Sequence, residues 1–307
     1  MEKITLICPI HNEEKNIKIF VETFLKIFDK FKEIEFSILF ADNNSTDNSY
    51  EIIKLMCEKN KKIKYLGYSK NYGVMKSIYT AIHHVNDDAC AVFDCDLQDP
   101  ADLLTQFILE WRKGFKIIYG KRIKREESLI IKILRNIFKK LNYLLKGFNI
   151  EVESGAWFLD KRAIDEIKNS IFDPYLPALI NNLDFKKKPI MYERKKRKFG
   201  KSKFNFFRYL NYAVDGFISG TSQPLRISIF FSFIFGVISL FSAVYFLIAK
   251  FIMNIPFAEG IAAIIIINLF SFSLIFFFIS IIGEYIGKIY LSENNKMKAK
   301  VYKKINF

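Results

Sequence analysis

Two long stretches near the end of the chain contain no charged residue, and they limit what the chain can fold into. Residues 227–249 and 260–283 are uncharged over 23 and 24 positions. As helices, each would be about 35 Å long, which exceeds the roughly 30 Å hydrocarbon core of a bilayer. The sequence therefore predicts two transmembrane helices joined by residues 250–259. The alternative is a pair of buried helices in a soluble domain, which rarely run this long without a charged face.

The excess positive charge is concentrated beside these two stretches. The formal net charge is +15, and residues 186–208 hold 11 Lys or Arg against one acid, while residues 288–307 hold six Lys against one acid. Cytoplasmic segments next to membrane helices collect Lys and Arg. We therefore expect a lipid surface rather than nucleic acid as the partner of the basic segments. The same pattern predicts a multi-pass protein of the inner membrane with both termini in the cytoplasm.

The first 120 residues alternate between short apolar runs and segments of helical spacing. Such an alternation predicts an α/β fold with a mostly parallel sheet and helices on both faces. Ligands bind this kind of sheet beyond the carboxyl ends of its strands. The segments 16–31 and 72–85 are predicted helices. The predicted strands are 4–8, 36–41, 63–68, 89–94 and 116–120, with two further candidates at 156–160 and 188–194.

These patterns divide the chain into four regions. A basic amphipathic segment at 128–147 fits either a helix in the lipid headgroup plane or a surface helix packed on the sheet. The regions are a cytoplasmic α/β domain at 1–200, juxtamembrane amphipathic helices at 201–226, the two spans within 227–283 and a basic cytoplasmic tail at 284–307.

The usual phosphate-binding motifs are missing. No G-x-G-x-x-G follows the first strand, and the "GKS" at Gly200 has Lys195 where a P-loop requires glycine. A dehydrogenase or a P-loop NTPase is therefore not indicated. Instead, polar clusters follow three predicted strands, at 9–14, 41–47 and 94–99. One such cluster could be a helix cap, but three on one edge of a sheet indicate a site.

The acidic cluster "DCDLQD" has the residue types of a metal site. In an extended segment, side chains two positions apart point the same way, so Asp94, Asp96 and Gln98 would share one face. Carboxylate and amide oxygens suit Mg²⁺ or Mn²⁺, and phosphate oxygens commonly complete the shell of such an ion. The alternative is an acidic turn in which Asp99 caps the following helix.

The motifs "ICPIHNEEKNI", "ADNNSTDNS", "FDCDLQDP" and "YERKKRKFGKSKF" resemble those of the inverting family-2 glycosyltransferases with the GT-A fold. The closest branch is the polyisoprenyl-phosphate glycosyltransferases, which includes bactoprenol glucosyltransferases and dolichyl-phosphate mannose synthase. The similarity runs from about residue 4 to residue 226, and the hairpin after it matches the bacterial members.

The resemblance implies a role for each motif residue. Asp96 and Arg197 would act in catalysis, and Mg²⁺ or Mn²⁺ would be held by Asp94, Asp96 and Gln98. The donor nucleotide would be bound by Pro9, His11, Glu13, Asp42, Asn71 and Asp94. The donor and acceptor phosphates would be bound by Arg122, Arg194, Arg197, Ser202 and Lys203.

The implied reaction moves a hexose, with glucose expected, from a UDP-sugar to undecaprenyl phosphate for a cell-envelope polysaccharide. Relatives with this hairpin form tetramers, so the resemblance also implies a homotetramer. Two positions depart from the pattern, because Ala156 replaces an acid and Phe158 an arginine. A phosphate acceptor is already ionised at pH 7, its second pKa being about 6, so no base is required. The alternatives are a transferase with a hydroxyl acceptor and a non-catalytic membrane adaptor.

Overall fold

The computed structural model describes most of the predicted α/β domain, one later helix and the C-terminal segment. Three predicted features, the amphipathic segment at 128–147, the juxtamembrane helices at 201–226 and the span at 227–249, lie outside it apart from isolated positions. The described ranges are 1–123, 155–170, 176–194, 261–293 and 298–307, with residues 136, 140, 143, 241, 244, 248, 252 and 253.

Eight strands form one sheet, in the order β7-β5-β6-β4-β1-β2-β3-β8. All seven strands predicted from the sequence are confirmed, with ends that differ by up to two residues. The eighth, β8, was not predicted. The strands are β1 (Glu2–Ile10), β2 (Ile34–Asp42), β3 (Ile63–Tyr68), β4 (Ala89–Val92), β5 (Ile117–Arg122), β6 (Trp157–Asp160), β7 (Lys187–Tyr192) and β8 (Val301–Ile305).

The sheet is mostly parallel, as predicted, but two strands run the other way. β6 is antiparallel to both β4 and β5, and β8 is antiparallel to β3. β5 ends and β6 begins at the same edge of the sheet, as antiparallel neighbours do. β8 also enters from that edge, because Val301 pairs with Tyr68 at the end of β3.

Helices cover both faces of the sheet, as the sequence predicts. Alternate side chains of a strand point to opposite faces, so Leu6 and Cys8 of β1 lie in one core and Ile7 in the other. The predicted helices at 16–31 and 72–85 are confirmed as α1 and α3. The helices of the domain are α1 (Glu14–Phe28), α2 (Ser49–Lys59), α3 (Val74–Ile82), α4 (Leu103–Arg112), α5 (Lys161–Asn169) and α6 (Leu176–Asn182).

All of the second predicted span, 260–283, except its first residue lies in helix α7 (Ile261–Glu293). Counting only the residues that the structure describes, no helix combines the length and the hydropathy that a membrane crossing requires. The predicted transmembrane hairpin therefore stays a prediction.

Candidate active site at the carboxyl edge of the sheet

Polar side chains follow β1, β2, β3 and β4 where these parallel strands end, and we call this edge of the sheet the rim. Parallel strands place their carboxyl ends side by side, so segments far apart in sequence meet there. The structure brings the predicted clusters at 9–14, 41–47 and 94–99 to this one edge.

The loops after β1 and β2 are hydrogen-bonded to each other. Asn12, at φ 59°, donates its backbone N–H to Ser45 Oγ at 3.0 Å, and its Oδ1 accepts the backbone N–H of Thr46 at 2.7 Å. The backbone N–H of Glu13 donates to Ser49 Oγ at 3.0 Å. Asparagine adopts a positive φ more readily than most residues, which suits it to this turn. The two loops therefore form one continuous part of the rim.

Asp42 lies beneath these loops rather than at the surface. It is 2% exposed, and its Oδ1 accepts both the backbone N–H and the hydroxyl of Ser45, at 2.9 and 2.7 Å. Its Oδ2 accepts the hydroxyl of Tyr65 at 2.7 Å. Burial, followed by the negative charge of Asp42, raises the pKa of Tyr65 well above its usual value, so this hydroxyl stays protonated and donates. Asp42 thus fixes the loop after β2 from below.

The other residues predicted to bind the nucleotide occupy varied positions. Pro9 is a buried residue of β1 that pairs with Ala41, while His11 is half-buried at the rim. Glu13 accepts the side-chain N–H of Asn16 at 2.6 Å. Asn71 is exposed, and its Oδ1 accepts the backbone N–H of Gly73 at 2.9 Å, which shapes the loop after β3.

The acidic segment after β4 is a turn, and the predicted extended geometry is wrong. β4 ends at Val92, Leu97 has φ 52°, and the backbone N–H of Leu97 reaches the carbonyl of Asp94 at 3.4 Å. Asp96 Oδ1 accepts the backbone N–H of Gln98 at 3.1 Å, a local bond that competes with strand pairing. Asp94 and Asp96 therefore do not share a strand face, and Asp96 is only 6% exposed.

Asp99 does not cap the following helix, because the residue before α4 is Asp102. Asp99 instead joins a buried cluster at the ends of β5 and β7. Its Oδ1 accepts the hydroxyl of Tyr192 at 2.6 Å and lies 3.4 Å from Nε of Arg194 and 3.9 Å from Nη2 of Arg122. Arg122 Nε also donates to the hydroxyl of Tyr192 at 3.1 Å. Asp99 is 2% exposed, and its other oxygen, Oδ2, has no hydrogen-bond partner among the described residues.

This cluster adjoins Asp94, whose carboxylate lies 4.0 Å from Nη2 of Arg194. Burial is the main cause that raises the pKa of Asp94 to about 7, and the charges of Asp99 and Asp96 add to it. The two arginines act in the opposite direction. The rim therefore holds a set of carboxylates beside two guanidinium groups, an arrangement that attracts both a cation and phosphate oxygens.

The donor set fits a divalent cation only in part. Asp94 and Asp96 bring two carboxylates whose mutual repulsion a cation would relieve, and Gln98 adds an amide oxygen. Within the described ranges, no group of three or more His, Cys, Asp or Glu residues could hold a metal. A bound Mg²⁺ or Mn²⁺ would thus need oxygens from a ligand, as Mg²⁺ does at phosphate-binding sites.

Three predicted phosphate-binding residues, Arg197, Ser202 and Lys203, lie outside the described residues. Ala156 and Phe158, which stand where an acid and an arginine were expected, are both 0% exposed. Phe158 packs against Phe107 and Trp111 in the core. Ala156 and Phe158, the two departures from the family pattern, are therefore both positions of apolar packing in the core.

Sequence reasoning missed the roles of Tyr65, Asp99 and Tyr192. Asp99 belongs to the acidic cluster, and its sequence position next to Pro100 indicates only a helix cap. Tyr65 and Tyr192 are ordinary strand residues, and only the sheet register places their hydroxyls beside Asp42 and Asp99.

The chain is similar to a known protein family and to individual known proteins. The model of the family described as "Glycosyl transferase family 2" matches residues 5–167. CsbB of Bacillus subtilis (strain 168) is 29% identical over 299 residues, covering 94% of this chain and 87% of that one. The SfII prophage-derived bactoprenol glucosyl transferase of Shigella flexneri is 26% identical over 301 residues, covering 96% of each chain. A solved mannosyltransferase, PcManGT of Pyrobaculum calidifontis in complex with GDP-Man and Mn²⁺, has TM-score 0.48 at 12% identity, covering 74% of this chain and 64% of that one.

Proposed function

Because this chain belongs to glycosyl transferase family 2, we propose that it moves glucose from UDP-glucose to a polyprenyl phosphate, with undecaprenyl phosphate as the expected lipid. The observation that carries the proposal is the similarity to bactoprenol glucosyl transferases over 96% of the chain. The rim supports it, because it places carboxylates and arginines side by side, as a sugar diphosphate and a lipid phosphate require.

The donor would lie across the rim with its base over the loops after β1 and β2 and its diphosphate at Asp94 and Asp96. Pro9, His11, Glu13 and Asn71 would contact or shape the nucleotide pocket. Asp42 would lie on the side of this pocket that holds the nucleotide base.

Asp94, Asp96 and Gln98 are the residues that would hold Mg²⁺ or Mn²⁺. When bound, such an ion neutralises the charge that develops on the leaving diphosphate. The transfer forms a bond between an acceptor phosphate oxygen and the anomeric carbon, and the bond from that carbon to UDP breaks, with its electron pair leaving on UDP. Attack from the opposite side inverts the configuration.

Arg122 and Arg194 would position the phosphates, together with Arg197, Ser202 and Lys203 of the basic segment. Guanidinium groups bind phosphate oxygens through paired hydrogen bonds. The acceptor phosphate carries its negative charge at pH 7, so it needs positioning more than deprotonation. This fits the apolar packing of Ala156, where no base is available.

The lipid acceptor requires a membrane close to the rim, and we propose the hairpin of spans 227–249 and 260–283 as its anchor. In α7, apolar side chains such as Ile264, Phe272 and Phe277 are 57%, 56% and 59% exposed, which a lipid environment would cover. We place the catalytic domain and both termini on the cytoplasmic side, in accordance with the basic flanking segments. The family expectation of a homotetramer is part of the same proposal.

The path of the chain after α7 supports this placement. α7 ends at Glu293, and the carbonyl of Lys300 accepts the backbone N–H of Ser69 at 3.0 Å, at the rim. The seven residue steps from Glu293 to Lys300 span at most about 25 Å. The end of α7 therefore lies within about 25 Å of the rim.

The test is a transfer assay on membranes that contain the full chain, with undecaprenyl phosphate and UDP-glucose. We expect UDP release and a lipid product whose mass equals the acceptor plus one hexose. Mild acid should release the sugar, because a glycosyl phosphate is acid-labile and a glycoside of a hydroxyl acceptor is not. Product that resists acid would favour the hydroxyl-acceptor alternative. Metal-dependent UDP binding without transfer to any acceptor would favour the non-catalytic adaptor.

A further inference from the structure

The segment after α7 is a specified part of the sheet rather than a loose tail. Ala299 donates its backbone N–H to Thr80 Oγ1 at 2.7 Å, in a buried position. At the other end of β8, Asn306 Nδ2 donates to the carbonyls of Cys57 and Ile63, each at 2.8 Å. These side-chain contacts fix the register of β8 on β3, which backbone pairing alone would leave free to slip.

One side chain of β8, that of Tyr302, lies beside a buried residue of the rim, although Tyr302 itself is 58% exposed. Tyr302 and Tyr65 both lie over Gly67, where a Cβ would stand 3.1 Å from Tyr302 Cε1 and 2.9 Å from the hydroxyl oxygen of Tyr65. The two aromatic side chains thus lie against the same point of β3. Because Gly67 has no side chain, the two tyrosines can meet across the pair β3–β8.

Tyr65 connects β8 to the loops of the rim. Its hydroxyl donates to Asp42 Oδ2 at 2.7 Å, and Asp42 Oδ1 holds the backbone N–H and hydroxyl of Ser45. Ser45 Oγ in turn accepts the backbone N–H of Asn12. A continuous series of contacts thus runs from β8 to both loops that would bind the donor base.

We propose that β8 is a functional part of the donor site and that Tyr302 is a positioning residue for nucleotide binding. It holds Tyr65, and through Tyr65 it holds Asp42 and the loop after β2, in the geometry that the base requires. This inference rests on the proposed function, since it assigns a role toward the UDP-sugar of that same site.

A purely structural role for β8 makes a different prediction. An unpaired edge strand is a liability, and β8 covers the edge of β3 along its length. If that were its whole role, loss of the Tyr302 side chain would lower the melting temperature and leave nucleotide affinity unchanged. Affinity and stability must therefore be measured on the same variants.

The experiment compares the full-length wild type with Tyr302→Ala and Lys304→Ala. Both residues are exposed and lie two positions apart on β8, but the described contact of Lys304 is with the ring of Phe307, away from Tyr65. UDP binding is measured by calorimetry with Mn²⁺, donor KM and kcat by UDP release, and stability by thermal unfolding.

We expect Tyr302→Ala to raise the Kd for UDP and the donor KM about three- to tenfold, because Tyr65 would lose the aromatic ring beside it, with kcat changed less than about twofold. Lys304→Ala should match the wild type. Unchanged UDP affinity in Tyr302→Ala, or an equal loss in Lys304→Ala, would overturn the inference.

Tyr302→Leu removes the aromatic ring and keeps an apolar side chain, so it decides the matter if the alanine variant does not fold. A Kd for UDP at least about twofold higher than that of the wild type supports the role of the ring, and an unchanged Kd then overturns the inference. Failure of the proposed function has a separate signature, because in that case the wild type itself would bind no UDP.

Discussion

The hydroxyl of Tyr192 donates to Oδ1 of Asp99 across 2.6 Å, joining the end of β7 to the acidic loop after β4. Both arginines of the rim lie within 4 Å of the same carboxylate, so Arg122 and Arg194 each form an ion pair with Asp99. Buried charged groups are tolerated when they are paired with opposite charges. Removing one partner leaves an uncompensated buried charge, which destabilises the fold.

The variant Tyr192→Phe should therefore weaken the binding of both phosphorylated substrates. It removes the donor to a buried carboxylate, at a cost of about 1–3 kcal/mol in the free energy of unfolding. We expect the acceptor KM and the Kd for UDP, the latter measured by calorimetry, each to rise about tenfold, because Arg122 and Arg194 would lose their shared support. Steady-state kinetics with varied undecaprenyl phosphate measures the acceptor KM. Tyr79→Phe is the control, since that buried hydroxyl contacts Ser170, away from the rim; an equal rise there would contradict the prediction.

Asp96→Asn should abolish metal-dependent donor binding. The substitution keeps the size of the side chain and removes one of the charges that would hold the cation, so we expect activity to fall about 100-fold or more. Removing divalent ions with a chelator should have the same effect on the wild type, and Mg²⁺ or Mn²⁺ should restore activity to the wild type alone. Asp102→Asn is the control, because this carboxylate is 78% exposed. Full activity of Asp96→Asn would show that the metal lies elsewhere.

Gly67→Ala should weaken UDP binding from a position with no contact to the ligand. The new Cβ would stand 2.8 Å from Cε1 of Tyr65, a side chain that is 0% exposed and cannot move aside freely. Overpacking of this kind costs about 1–3 kcal/mol, and the displaced hydroxyl would lose Asp42. Calorimetry should show a raised Kd. Gly287→Ala, where nothing lies within 4 Å of the new atom, should leave it unchanged.

The acid stability of the domain should depend on Asp160, at the edge of the sheet opposite the rim. Burial acts to raise the pKa of Asp160, but hydrogen bonds from Trp111, Arg162 and Lys116 outweigh it and lower the pKa below its ordinary value. A lowered folded-state pKa stabilises the fold above the unfolded value of about 3.9, and that contribution is lost as the pH falls through the folded value.

Asp160→Asn should accordingly be less stable than the wild type at pH 7, by about 1–3 kcal/mol, and the difference should shrink as the pH falls below about 4. Thermal unfolding of the full chain at a series of pH values measures the difference. A constant gap between the two proteins at all pH values would contradict this explanation. Asp102→Asn again serves as the exposed control.

The sequence predicted the parts of the fold that depend on local pattern. β1 to β5 are short apolar runs separated by helical spacing, and their polar ends meet at one edge because parallel strands align. The prediction failed where a local hydrogen bond replaced strand geometry, as at Asp96, whose carboxylate binds the backbone of Gln98. The spacing of residues in the sequence does not predict such a bond.

β8 could not be predicted for a different reason. Two of the five residues in Val301–Ile305 are lysines, so the segment has the sequence of an ordinary charged tail. Its partner strand, β3, lies more than 230 positions earlier in the chain. The contact of Tyr192 with Asp99 is equally non-local, at 93 positions. Contacts of this kind follow from the topology of the sheet, and the sequence by itself does not state that topology.

The position of β8 after α7 also sets an order of assembly. During synthesis α7 leaves the ribosome before Tyr302 does, so the edge of β3 stays open until the apolar helix has already emerged. The donor pocket that we propose is therefore completed last, only after the chain of α7 has been made.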